Sequence, residues 1–378
     1  MVREQMEDIF SAKKIIIYGA QVIAFGIYMS LKELTDSEIL CFAVSDTRGN
    51  PFTIDDIPVL EISSLVNTEK ETLIIVATPE SYHAEIILIL KNLEFGNIIC
   101  IDSHMEYKIM SQFYRKHTKF KLLEDCIIED CIDKRHMSMG ASNKEHIYKE
   151  LLDVKILMAK CHVDQKIVGE YTFNDWVVPI QVGAVLTDKR ISELSDDTGV
   201  NISKKNRNYS ELTATYWAWK NLKSEYKGIC HYRRVFSMNE KQLYIIKKND
   251  VDVVLPLPFI CNPDASGQYR RYITDADLEL VHIALMEMHS DYAVAFLDIS
   301  KKPYLYNYNM LIAKRKVFDD YCAWIFPILK RIEALSDVEN GKRNDRYIGY
   351  IGEILTALYF LHNKKNLNVV HGEKKWLV

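Results

Sequence analysis

The sequence predicts an α/β protein in two parts: an N-terminal Rossmann-like domain with a parallel sheet over residues 1–104, and a second α/β domain over residues 153–378. A helical link, residues 105–152, joins them. Three observations carry this. A chain of 378 residues exceeds what one hydrophobic core ordinarily serves. Short apolar runs alternate with helical patterns through the first hundred residues, the rhythm of βαβ units. After a charged stretch with no strand pattern, a new strand at Lys155–Ala159 restarts the α/β pattern and carries it to the C-terminus.

In order, the first domain reads as strand Lys14–Tyr18, helix Val22–Leu34, strand Ile39–Ser45, strand Leu73–Ala77, helix Ala84–Leu93 and strand Asn97–Ile101. The first strand runs into Gly19-Ala20-Gln21-Val22-Ile23-Ala24, similar to the turn that sets a phosphate on a helix N-terminus in dinucleotide-binding folds. The second glycine of that pattern, which lets the backbone approach the pyrophosphate, is replaced by Gln21, so a domain that does not bind NAD is expected. Asp46 falls where a ribose-binding acid would stand, and Asp is equally ordinary turn chemistry. The link is charged and helical in pattern, with a Met- and His-rich stretch at 135–140.

Composition excludes several classes. Nearly half of the residues are apolar, while Gly and Pro are few, so an ordered globular chain is expected. A net charge of -4 provides no electrostatic footprint for nucleic acid. The eight cysteines never take the C-x-x-C spacing of a zinc site and read as reduced, buried thiols. With an acidic first segment, Met1–Ala12, they point to a cytoplasmic protein. Apolar runs such as Ile86–Leu90 are far short of a bilayer span of ~20 residues, so any membrane contact is expected to be peripheral, at the inner face.

In the second domain, Asn208-Tyr209-Ser210-Glu211 has the form of a capping box opening a helix Glu211–Leu222. Tyr216, Trp217 and Trp219 on that helix suit either helix packing or contact with a sugar. Strand Tyr226–Cys230 then emerges into His231-Tyr232-Arg233-Arg234. Arginine carries a permanent charge and a fork of donors matched to phosphate oxygens, and the end of a strand in an α/β sheet is where ligands bind. A surface ion pair is the alternative use of such a pair.

The runs ELTATYWAWKN (211–221) and GICHYRRVF (228–236) resemble a family of bacterial capsule and O-antigen glycosyltransferases long described as a domain of unknown function. The resemblance extends in order over residues 153–378, through Pro179–Gly183, Asp196–Gly199 with Asn201-Ile202-Ser203, Tyr308-Asn309-Met310, Tyr321–Trp324 and Gly349–Glu353. It implies a C-terminal variant GT-A-like glycosyltransferase domain with a UDP-sugar donor, and some members are similar to galactofuranosyltransferases. It places the donor at Gln181, Gly183, Asp196, Asn201, Ser203 and His231–Arg234. The acceptor it implies is a polyprenyl-linked glycan, and association into a homo-oligomer is compatible with it. Val200 departs from the family, where an acid is frequent, which leaves the sugar open.

GT-A enzymes commonly hold a divalent metal, Mn or Mg, on an Asp-x-Asp motif placed after a helix and a strand. Here His231–Arg234 occupies that place, so fixed cations are expected to take over some or all of the metal's task. The literal Asp250-Val251-Asp252 is the rival, or else a turn before an apolar strand. An inverting transferase needs a carboxylate to take the proton of the acceptor hydroxyl, and Glu353 is the first candidate, with Asp197 or Asp196 as alternatives. Glu353 shares a helix face with Gly349, Gly352 and Thr356, and two interior glycines imply that something approaches closely. Tyr308 and Asn309, ahead of a strand and an amphipathic helix carrying Phe318, Tyr321, Ile325 and Ile328, and Trp217 behind them, are candidates for acceptor contact.

Overall fold

The computed structural model describes residues 2–117, 120–126, 153–336, 343 and 345–378. Most of the expected link, with Cys131 and residues 135–140, lies outside them.

The N-terminal part runs α1 (Val2–Ser11), β1 (Lys14–Tyr18), α2 (Val22–Leu34), β2 (Glu38–Val44), β3 (Thr53–Ile54), β4 (Ile57–Glu61), β5 (Leu73–Val76), α3 (His83–Asn92), β6 (Ile98–Cys100) and α4 (Ser103–His117). Its sheet has the order β3-β4-β2-β1-β5-β6, parallel throughout except for the β3–β4 hairpin. The strands are apolar on both sides because both faces are covered. Ile15 and Ile17 point into a core with α2 and α4, while Ile16 and Tyr18 pack with Ile86 and Leu90 of α3. The turn after β1 needs its glycine. Gly19 has φ +127°, and a Cβ there would lie 2.7 Å from the carbonyl oxygen of Ala77.

The second part is a sheet of nine strands: β7 (Val154–Lys160), β8 (Val177–Gln181), β9 (Leu194–Ser195), β10 (Tyr226–His231), β11 (Arg234–Phe236), β12 (Val253–Pro256), then β15 (Leu311–Lys314), β16 (Val369–Gly372) and β17 (Lys374–Trp376). Two short strands, β13 (Phe259–Ile260) and β14 (Tyr304–Leu305), pair apart from it. The order is β16-β12-β15-β10-β7-β8-β9, with β11 bridging β10 and β17. β10, β7, β8 and β9 are parallel, and β15 runs antiparallel to both β10 and β12. Alternation sorts the side chains into two cores. Ile156 and Met158 join Leu243 and Ile246 of helix Glu240–Lys248, whereas Leu157 and Ala159 face the core of helices Leu212–Asn221, Arg315–Ser336 and Tyr347–His362. The amphipathic helix buries Phe318, Tyr321, Ile325 and Ile328 as its spacing requires.

This last core is continuous with that of the first sheet. α4 lies on α2 and also meets β17, so the segment that reads as the start of a link is built into the junction. Tyr114 of α4 donates to the carbonyl of Pro258 (2.8 Å), and the Ser103 hydroxyl accepts from the Trp376 N–H (3.1 Å).

The expected capping box does not form. Residues Asn206–Tyr209 make a single turn of their own, Ser210 takes φ +49°, and the next helix starts at Leu212 without a side-chain cap. Asn208 instead donates to the carbonyls of Arg343 and Asp345. Among the described residues the cysteines are free thiols, most of them buried, and no helix is long and apolar enough to cross a membrane.

Gly19→Ala is expected to destabilise the protein by about 2 kcal/mol, a left-handed strain together with a backbone clash. Gly96→Ala, with open space around it, is expected to be neutral. Thermal unfolding of the two variants checks the contrast.

Candidate functional site

Strand β10 ends at His231 and turns back through Tyr232 and Arg233 into β11, with His231 paired to Arg234, so the His-Tyr-Arg-Arg run is a two-residue hairpin. It stands at the C-terminal end of β10, alongside the parallel strand β7. The Arg234 guanidinium lies between two rings, 4.0 Å from the centre of Tyr308 and 4.1 Å from that of Trp376. Its Nε is buried with no hydrogen-bond partner, and among the described residues no carboxylate pairs with it. A cation held by ring faces keeps its charge available to an incoming anion. Arg233 points elsewhere, donating to the Tyr232 hydroxyl (2.7 Å) and to Gln165 Oε1 (3.2 Å). His231 Nε2 donates to the Tyr308 carbonyl (2.5 Å). Burial lowers the His231 pKa and the nearby Glu211 carboxylate opposes this, so the ring is kept neutral and structural.

Glu353 approaches the same place from helix Tyr347–His362. It is half-buried, and its carboxyl is pushed up to about 8. Burial is the main cause and the Glu211 carboxylate adds to it; the Tyr308 N–H, Arg234 and Arg346 pull the other way. Glu211 is buried, with Oε1 accepting from Asn309 Nδ2 at 2.7 Å and Oε2 lying 3.8 Å from Arg346. Two carboxyls and two arginines thus share one end of the sheet. The interior glycines make room for chain packing: a Cβ on Gly352 would meet Leu212 at 2.6 Å, and one on Gly349 would meet Ser210 Oγ at 3.2 Å.

The other residues expected at the donor form a scaffold whose polar atoms are spoken for within the chain. Asp196 is fully buried; Oδ2 accepts from the Gly183 N–H (2.9 Å), and Oδ1 accepts from the Ala184 N–H (3.1 Å) and Ser203 Oγ (2.5 Å). Gly183 takes the left-handed φ of +63° that this cradle demands. Gln181 clasps the following loop through the Lys189 carbonyl and the Ile191 N–H, and Asn201 closes a turn onto the Gly199 carbonyl and the Ser203 N–H. Asp197 is taken up by Arg190 (3.0 Å) and the Ser195 hydroxyl (2.6 Å). Of the expected acceptor residues, Trp217 is buried with its indole N–H on the Thr198 carbonyl (2.9 Å), and Asn309 is buried with both ends of its amide bonded. Tyr308 alone of these three retains an exposed edge.

The Asp250-Val251-Asp252 motif does not fit a metal ion. Lys314 Nζ lies 2.7 Å from Asp250 and 2.8 Å from Asp252, whose second oxygen accepts from the Asn368 N–H. β12 is antiparallel to β15 and β15 to β10, so β12 follows β10 in direction. Both acids precede β12 and stand at the opposite edge of the sheet from His231. Among the described residues no group of three or more His, Cys, Asp or Glu could hold a metal. In the first sheet, Gln21 reaches to Asn50 and Asp46 is held at about 2 by Arg48, so both side chains a dinucleotide would meet are engaged.

Glu211, Arg346 and Trp376 escape the sequence reading. Glu211 sits inside a conspicuous motif but has the look of a capping residue, and Trp376 is remote in sequence from Arg234 and Tyr308, which it meets. Lys374 joins them, buried against Phe259 (4.6 Å) and Tyr308 (5.3 Å), with Glu106 of α4 as the leading acid near it. Burial lowers the Lys374 pKa, and Glu106 opposes that.

Asp196→Ala is expected to destabilise the fold by about 3 kcal/mol or more, since it leaves buried donors unpaired, and Asp197→Ala by about 1 kcal/mol. Denaturant titration separates the two. A carboxyl raised to about 8 takes up a proton on folding, so Glu353 makes stability fall as pH climbs from the ordinary carboxylate range towards 8. Glu353→Gln is therefore expected to raise the melting temperature relative to the parent at pH 8–9 and to leave it little changed at pH 4, as measured by calorimetry.

A family profile described as Domain of unknown function (DUF4422) matches residues 155–364. A search of curated proteins finds no match. Among solved structures, the chain is similar to the apo structure of the bifunctional glycosyltransferase WbbM, at 25% identity and a TM-score of 0.51, over 60% of this chain and 45% of that one. The chain thus spans less than half of that protein's length. The likeness agrees with an α/β architecture that combines a Rossmann-like and a GT-A-like domain. The profile spans more than half of the chain, from β7 to the end of helix Tyr347–His362, and the chain belongs to the DUF4422 family.

Proposed function

We propose that the chain is a glycosyltransferase of polysaccharide synthesis that moves a sugar from a UDP-sugar to a glycan hydroxyl with inversion. The observation that carries this is Arg234, clamped between Tyr308 and Trp376 without a carboxylate partner among the described residues, beside the carboxyl of Glu353. The likeness to WbbM, a bifunctional glycosyltransferase, supports the reaction class.

In this reading Arg234, with Arg346 acting on the same carboxyl of Glu353, meets the diphosphate. Glu353 accepts the proton of the acceptor hydroxyl as its oxygen attacks the anomeric carbon from the face opposite the nucleotide. The anomeric C–O bond to the diphosphate breaks, and the charge left on the nucleotide falls towards the guanidinium groups. A base with its pKa near the working pH combines a usable unprotonated fraction with proton affinity. Galactofuranose is the sugar we favour, from the resemblance of the motifs. The acceptor is then a lipid-linked glycan of capsule or O-antigen, reached from the cytoplasmic face by a peripherally bound enzyme that associates with itself.

Purified protein incubated with a panel of UDP-sugars should release UDP in a donor-dependent manner. Arg234→Ala is expected to lower kcat/KM about 100-fold. The rate should rise as pH increases through about 8, where Glu353 loses its proton, and this limb should vanish in Glu353→Gln. Absence of binding or turnover with every donor overturns the proposal.

A further inference from the structure

Next to the arginine cluster, three segments meet around a concavity of which the reaction scheme uses only Glu353. Helix Ala265–Tyr269 and the turn after it bring Gln268 and Tyr272, the stretch after β14 brings Asn307, and helix Tyr347–His362 brings Tyr350 and Glu353. Tyr272 and Tyr350 stack, with centres 4.8 Å apart and planes inclined by 17°, although Tyr272 is 50% exposed. Asn307 is buried, yet its Oδ1 finds no hydrogen-bond donor among the described residues. Gln268 is also buried, and among the described residues its side-chain amide reaches only the Tyr272 hydroxyl, at a long 3.4 Å.

An exposed aromatic face beside amides with bonding capacity to spare suits a ring that is apolar on one face and carries hydroxyls at its edge. A buried acceptor left unpaired costs free energy, and that cost is removed when a ligand hydroxyl donates to it. The ring chemistry that meets both conditions is a monosaccharide unit stacked on the exposed Tyr272 face, because the cleft beneath it, about 10 Å³, admits a hydroxyl and not a ring. An ionic ligand fits poorly, because the lining offers one carboxyl and no cation.

We infer that Tyr272, Tyr350, Gln268 and Asn307 form the subsite that holds the acceptor sugar, with one of its hydroxyls directed at Glu353. This rests on the glycosyltransferase reading and adds to it the place of the acceptor. The residues differ from Trp217 and Asn309, whose polar groups are occupied within the chain.

Saturation-transfer NMR on the full chain, with methyl glycosides of galactose, glucose, mannose and N-acetylglucosamine as probes, tests the subsite. At least one glycoside should give a signal, and its apparent affinity should fall about tenfold in Tyr272→Ala and recover in Tyr272→Phe, which keeps the ring. No signal from any glycoside, or a signal undiminished in Tyr272→Ala, overturns the inference. Titration of the unaltered protein with UDP is the separate arm. Glycoside binding that depends on Tyr272, without UDP binding, keeps the subsite and removes the transferase reading; UDP binding with no glycoside signal does the reverse.

Discussion

A single buried amide fixes where the elements of the site meet. Asn309 donates through Nδ2 to Glu211 Oε1 and to the Gly349 carbonyl, and its Oδ1 accepts from Thr356 Oγ. These partners belong to the start of helix Leu212–Asn221 and to helix Tyr347–His362, while Asn309 itself leads into the central strand β15. The geometry demands left-handed backbone at Tyr308 and Asn309, with φ of +76° and +48°. Such values cost a tyrosine free energy and persist only where surrounding bonds enforce them. What the turn achieves is to present the Tyr308 carbonyl to His231, its N–H to Glu353 and its ring to Arg234. Loss of the amide would release all of these together.

The second constraint is the closure of that arrangement from the other side. β17 pairs with β11 and carries Trp376 onto Arg234, and α4 fastens β17 through Ser103 and through the pair of His104 with Glu373. Glu106 places a buried carboxyl beside Lys374, and its own pKa is raised by burial. The N-terminal sheet thus meets the site as a support, through α4, and not through the turn at Gly19 where a dinucleotide fold would bind its ligand. This is a physical reason for the two sheets to share a continuous core: the strand that carries Trp376 is held from both sides.

Much of the fold was legible in the sequence, because apolar runs of four to seven residues and the 3.6-residue period report burial directly. Strand β1, helix Val22–Leu34 and strand β10 lie within a residue of where their patterns put them. The candidate site was legible by motif and far less by role. Asp196, Gln181, Ser203 and Asn201 look like ligand-binding residues because polar side chains clustered in a motif do so, and the sequence does not disclose that their partners lie within the same stretch of chain, Gly183 to Ser203. The capping pattern at Asn208–Glu211 misled for a related reason. Asn208 had a better use in binding the carbonyls of Arg343 and Asp345, more than a hundred residues away, and local pattern carries no record of such distant competition. Gly352 likewise signalled a close approach correctly, but the approaching group was Leu212.

The ring clamp on Arg234 has an entropic consequence. A free arginine at a binding surface samples many rotamers, and freezing it when a ligand arrives costs about 0.5–1.5 kcal/mol. Between Tyr308 and Trp376 that freedom is already given up when the chain folds, so the cost falls on the stability of the protein and not on the encounter with the anion. On the proposed function, an anion reaching Arg234 would meet a charge whose direction the two rings have already set.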